Sequence, residues 1–93
     1  MDTTNRTGPS VTASILMDVE REVTRAMGLH PSQHSAHESY AVILEEVDEF
    51  WEEVRKRNCQ RDKQAMRTEL IQIAAMAVRA IHDLGLLHSH HAQ

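Results

Sequence analysis

Apolar residues return every three to four positions in three stretches of this chain, the period of helices that turn one face inward. In the first stretch these are Ile15, Leu16, Val19, Val23, Ala26 and Met27; Gly28 predicts a left-handed stop and Pro31 a break. The second follows "HPSQHSAHESY", where Ser35 and Glu38 have the spacing of a capping box, and it runs to about Arg57. "NCQRD" is the only plausible turn before the third, which extends from about Asp62 to Leu84 and stops at Gly85. So short a link sets the second and third helices nearly antiparallel. No strand-like alternation is long enough to count. The expected fold is all-α: a helical bundle of three main helices per chain, completed by dimerisation. Residues 1–10 read as a flexible leader, 11–85 as the helical domain and 86–93 as a His-containing flexible tail.

The second helix carries an unusual density of acid. "ILEEVDEFWEEV" holds six carboxylates, with Ile43, Val47, Phe50 and Val54 on one stripe and Tyr40, Leu44 and Trp51 widening it. At about 100° per residue Glu46 lies on the stripe's other border, Glu49 and Glu53 lie just beyond it, and Asp48 and Glu52 face solvent. Glu46 and Glu49 are i, i+3 neighbours, so their charges repel, and partial burial of either adds a hydration cost. A divalent cation would offset both, because hard ions such as magnesium take carboxylate oxygens. The third helix repeats the geometry. Met66, Leu70, Ile73, Ala77, Ile81 and Leu84 form its stripe, with Glu69 on the border and Gln72 one turn on. Antiparallel packing lets Glu46 and Glu49 face Glu69 and Gln72 as a four-ligand site. Plain solvated glutamates are the alternative reading of the same spacing.

The pattern Glu45-Glu46-x-x-Glu49, nineteen residues, then Glu69-x-x-Gln72 closely resembles the EExxE...ExxD signature of the MazG-like, all-α nucleoside triphosphate pyrophosphohydrolases. The likeness spans roughly Glu38 to Leu84. It implies magnesium-dependent (or manganese-dependent) cleavage of a nucleoside triphosphate to the monophosphate and pyrophosphate, by a homodimer or dimer of dimers; many proteins of that family remove surplus or non-standard nucleotides. By position, Glu46, Glu49 and Glu69 would be metal ligands, with Gln72 in the fourth place. Glu45 would be a second carboxylate or the base that activates water. Gln72 stands where the motif has Asp, and an amide oxygen coordinates without bringing charge. A catalytically weakened module that binds nucleotide or a protein partner is therefore the competing expectation.

Other candidates lie around these acids. Arg79 and Lys56 are the cations placed to help with phosphate; ordinary solvated surface cations are the alternative for both. Trp51 could stack on a base or fill a subunit interface, and Met76 could line a nucleoside pocket or belong to the core. His34 and His37, beside the start of the second helix, could touch a ligand or be plain surface.

Composition narrows the classes. The chain has 93 residues, 41% hydrophobic, with one Trp, one Tyr and one Phe, so aliphatic and Met side chains must make a small core. A net charge of -4, with no contiguous basic stripe outside residues 55–63, argues against nucleic acid as partner. Cys59 is the only cysteine, which excludes an intrachain disulfide and suits a reducing cytoplasm. No apolar run is long enough for a membrane span, and none has the form of a signal peptide.

Overall fold

The computed structural model describes residues 10–87. Most of the expected leader and the histidines of the tail lie outside these residues. Three α-helices follow one another: α1 (Val11–Leu29), α2 (Ala36–Val54) and α3 (Lys63–Asp83), with one turn of 3-10 helix at Asn58–Gln60 in the second connection. The all-α expectation holds, and no strand occurs among the described residues.

The ends of the helices follow from local chemistry. Ser10 caps α1 by accepting from the Ala13 N–H at 3.1 Å, and Asp62 caps α3 through the N–H groups of Gln64 and Ala65. α3 stops as the sequence predicts. Gly85 sits at φ +69°, the Leu86 N–H reaches back to the Ile81 carbonyl at 2.8 Å, and the Gly85 N–H to His82. α1 ends differently from the expectation. Gly28 lies inside the helix without a positive φ, and the chain leaves it at His30, whose extended backbone (φ -129°, ψ 148°) is what a residue ahead of a proline prefers. α2 begins with half of the expected capping box. Ser35 accepts from the Glu38 N–H at 3.0 Å, while the Glu38 carboxylate reaches one residue further back, to the His34 N–H at 2.7 Å.

α2 closes at Val54, three residues before the expected end. The Arg61 guanidinium donates twice to the Val54 carbonyl, at 3.0 and 2.7 Å, and so satisfies an orphan acceptor of the last turn. Glu53 turns inward and accepts from the Asp62 N–H at 2.6 Å and from Lys56 Nζ at 2.9 Å. One carboxylate thereby ties the end of α2 to the start of α3.

Both α1 and α2 pack against α3. Along α2 the contacts run in reverse order, Glu53 to Asp62 at one end and the α1–α2 loop to Asp83 at the other, so α2 and α3 are antiparallel. Along α1 they run in the same order, Asp18 to Arg67 and then Pro31 to Arg79, so α1 and α3 are parallel. The core is small: Val19, Ala26, Ala75 and Met76, with Val23, Val42, Ile43, Ile71 and Ala74 packed around it. Among the described residues no large side chain is fully buried.

The apolar stripes drawn from periodicity need correction. On α2 the inward residues are Ser39, Val42, Ile43, Glu46, Phe50, Glu53 and Val54, which places Glu46 on the packed face instead of on its border. Tyr40, Leu44, Val47 and Trp51 form a separate outward strip, 67% exposed at Tyr40 and 55% at Trp51. On α3, Ala75, Met76, Arg79 and Ala80 are buried, whereas Leu70, Ala77 and Ile81 are exposed. In helix one, Ile15, Leu16 and Met27 likewise stay outside.

Candidate functional site

The antiparallel register of α2 and α3 brings Glu46 and Glu49 opposite Glu69. One carboxylate oxygen from each lies within 4.8 Å of the other two. Glu46 and Glu69 are half-buried and Glu49 is exposed, so the group opens to solvent on one side. Oε1 of Glu46 and Oε1 of Glu69 are buried and bond to no hydrogen-bond donor among the described residues. Two buried acceptors without donors beside a third carboxylate make a costly arrangement in water alone.

The protons register that cost. Burial is the main cause that raises the Glu46 carboxyl from 4.5 to about 7, followed by the charges of Glu49 and Glu69 and by hydrogen bonds to both. Glu69 is also raised, first by burial and then by the Glu49 charge, while its contact with Glu46 acts in the other direction. Near neutral pH, without a cation, the triad is partly protonated. The three oxygens are close enough for one hard dication to touch all of them after small side-chain rotations, given magnesium–oxygen bonds of about 2.1 Å.

Beside the triad lies a cavity of about 300 Å³ between α1, the α1–α2 loop, α2 and α3. Glu45, Glu46, Gln72, Met76 and Arg79 all line it, so these five sequence candidates share one space. Gln72 is half-buried on its wall and Met76 is buried, part of both core and cavity. Glu45 is exposed at its rim.

The remaining candidates, and Arg79 among those on the cavity wall, differ from the solvated or substrate-facing groups that spacing suggests. Arg79 is no solvated cation: it is 4% exposed, donates through Nη2 to the Pro31 carbonyl at 2.9 Å and lies 3.7 Å from Asp83. Lys56 is held by Glu53 at the far end of α2 and does not line the cavity. Trp51 belongs to the outward strip and is absent from the cavity wall as well. His34 is exposed near Glu38, and His37 is exposed at the start of α2.

Periodicity missed the polar corner that closes the cavity. Asp83 accepts from the Gln33 N–H at 2.9 Å, and that bond is the main cause that holds its carboxyl below the ordinary range, with His82 and Arg79 adding to it. The buried Ser39 hydroxyl donates to the buried Gln33 side-chain carbonyl. Gln33 and Asp83 are fifty residues apart, and nothing in local spacing signals their meeting. Spacing puts Glu53 on the helix flank; it turns inward to accept from the Asp62 N–H, the bond that does most to hold its carboxyl below the ordinary range.

Comparison with protein-family models, with curated proteins and with solved structures returns no match, so the motif resemblance stands on the residues of this chain alone.

Proposed function

We propose that this chain is a magnesium-dependent nucleoside triphosphate pyrophosphohydrolase that converts the triphosphate to the monophosphate and pyrophosphate. The observation that carries the reading is the convergence of Glu46, Glu49 and Glu69, with two buried carboxylate oxygens that no donor among the described residues satisfies. Those oxygens suit a hard dication better than they suit water, and manganese would fit the same donor set. Glu46, Glu49 and Glu69 would hold it. Gln72, facing the cavity, offers a neutral amide on the substrate side.

A bound magnesium ion supplies neutralisation of polyphosphate charge and a more acidic water. The chain's own residues supply the rest. Glu45, exposed at the cavity rim next to Glu46, is placed to accept a proton from an attacking water. Arg79 does not reach for phosphate in this reading; it holds the loop that closes the cavity. Lys56 fastens the α2–α3 connection. The role of Trp51 moves from base stacking to subunit contact: with Tyr40, Leu44 and Val47 it forms an apolar strip at the spacing of a helix–helix seam, and a second copy of the chain, in a homodimer or a dimer of dimers, would cover it.

A second reading, nucleotide or partner binding without turnover, is favoured by one specific feature. Gln72 in place of the signature's Asp leaves three carboxylates at the four positions that would hold the metal. The experiment separates the two. Purified chain with magnesium and a panel of canonical and modified deoxynucleoside triphosphates should release pyrophosphate, and Glu49→Gln should abolish the release. Tight nucleotide binding without release selects the second reading, and absence of both removes the nucleotide account.

A further inference from the structure

The cavity and the exposed apolar residues lie on opposite sides of the α2–α3 hairpin. Glu38, Val42 and Glu45 of α2 and Gln72, Met76 and Arg79 of α3 line the cavity. At about 100° per residue, Tyr40, Leu44, Val47 and Trp51 fall on the far side of α2, and Leu70, Ala77 and Ile81 on the far side of α3. The two helices therefore share one apolar back, and nothing among the described residues covers it. Along α2 its positions repeat after four, three and four residues, the spacing of a seam between two helices.

Charge is distributed unevenly along the same hairpin. The connection at 55–63 carries Arg55, Lys56, Arg57, Arg61 and Lys63 against the single acid Asp62. α2 carries seven acids and no Lys or Arg. Arg55 and Lys56 are answered by Glu52 and Glu53 of their own helix. Arg57 and Lys63 are exposed, and among the described residues they enter no ion pair. One end of the apolar back is thus cationic and the rest of it runs beside acid.

Two two-fold arrangements lay such a face on itself. With the axis along the helices, each α2 lies over the other copy's α3, and the two basic connections stack at packing distance, about 8–10 Å, which is roughly one Debye length at physiological salt. With the axis across the helices, α2 lies antiparallel on α2, the strip meets itself, and the connections part to opposite ends. Each then lies beside the first turn of the other copy's α2, which carries Glu38. We infer that a second copy of this chain covers the hairpin's back in the second way, with the two α2 helices antiparallel and their basic connections at opposite ends of the dimer. The inference rests on the subunit contact proposed above for the strip and adds its geometry. Both cavities, being on the other side of the hairpin, stay open to solvent, so each site is complete in its own chain.

Cys59 supplies the ruler. It is the only cysteine, it is exposed, and it sits in the connection away from the apolar back. A nitroxide attached there gives one label per chain, so any dipolar coupling is between copies. At about 1.5 Å per residue the 19 residues of α2 span about 28 Å, and antiparallel seating on the strip sets the two labels about 35–45 Å apart. Stacked connections would bring them within about 20 Å. Pulsed dipolar spectroscopy on the full chain, with light scattering on the same sample, should show dimer mass and the long distance, and Trp51→Glu should abolish the coupling. The short distance at dimer mass would overturn the orientation and leave the subunit contact standing. Monomer mass without coupling would overturn both. The long distance kept by a dimeric Trp51→Glu would place the contact elsewhere and overturn the inference; because the label sits on the native cysteine, the wild-type distance decides the orientation even if that variant fails to fold.

Discussion

Exchanging the Glu46 carboxyl for an amide of nearly the same shape, in Glu46→Gln, isolates the energetic signature of the acidic triad. In the folded chain this carboxyl titrates at about 7, against 4.5 in the ordinary state. Between those values the folded chain keeps a proton that the unfolded chain has released. Glu46 therefore costs nothing below about pH 4.5, and its penalty grows until it is complete above about pH 7. At about 1.4 kcal/mol per pH unit the full gap amounts to about 3 kcal/mol, and screening of a half-buried group by solvent reduces it to about 1–2 kcal/mol. Urea unfolding of both proteins at one fixed concentration, in chelator, from pH 5 to pH 8, reads this directly. The stability difference in favour of Glu46→Gln should widen by about 1–2 kcal/mol across the range, or roughly 4–8 °C of melting temperature per kcal/mol. A difference that stays constant with pH would refute the crowded-carboxylate picture.

Other positions make separate claims. Glu53→Gln should lower the urea midpoint, since its carboxylate ties Asp62 and Lys56; because the folded pKa is depressed, that support is present above about pH 4.5 and is lost as pH falls through the folded value, so a mutational effect as large at pH 3 as at pH 7 would be inconsistent with it. Gly85→Ala should cost about 1 kcal/mol from the φ of +69° alone, as nothing lies near enough for the new methyl to strike; an unchanged midpoint in thermal melts would count against the left-handed stop. Trp51→Glu should shift the chain toward monomer in light scattering with helicity retained, and an unaltered mass would remove the outward strip from the proposed subunit contact.

Legibility differed along the chain for physical reasons. The N-cap at Asp62 and the stop at Gly85 are local devices, and α3 was readable almost to the residue. The end of α1 was misread because glycine suggested a stop that the residue before Pro31 makes instead. On α2 the apolar arc is wider than the face α3 covers, and periodicity gives the arc without saying which part meets the chain's own helices. Spacing therefore groups Val47 and Trp51 with Ile43 and puts Glu46 on a border. The triad itself was readable, since i, i+3 spacing on two antiparallel helices is enough to oppose Glu46 and Glu49 to Glu69. Gln33, Ser39, Asp83 and the buried setting of Arg79 were not, because loop-to-helix contacts fifty residues apart leave no trace in a period.

Manganese titration followed by electron paramagnetic resonance is the most direct test of whether three carboxylates of neighbouring helices hold one hard dication. The wild-type chain should take up one ion per chain at neutral pH, magnesium should displace it, and Glu49→Gln and Glu69→Gln should each weaken uptake at least tenfold. Free manganese throughout the titration, or equal uptake by the variants, would contradict the site.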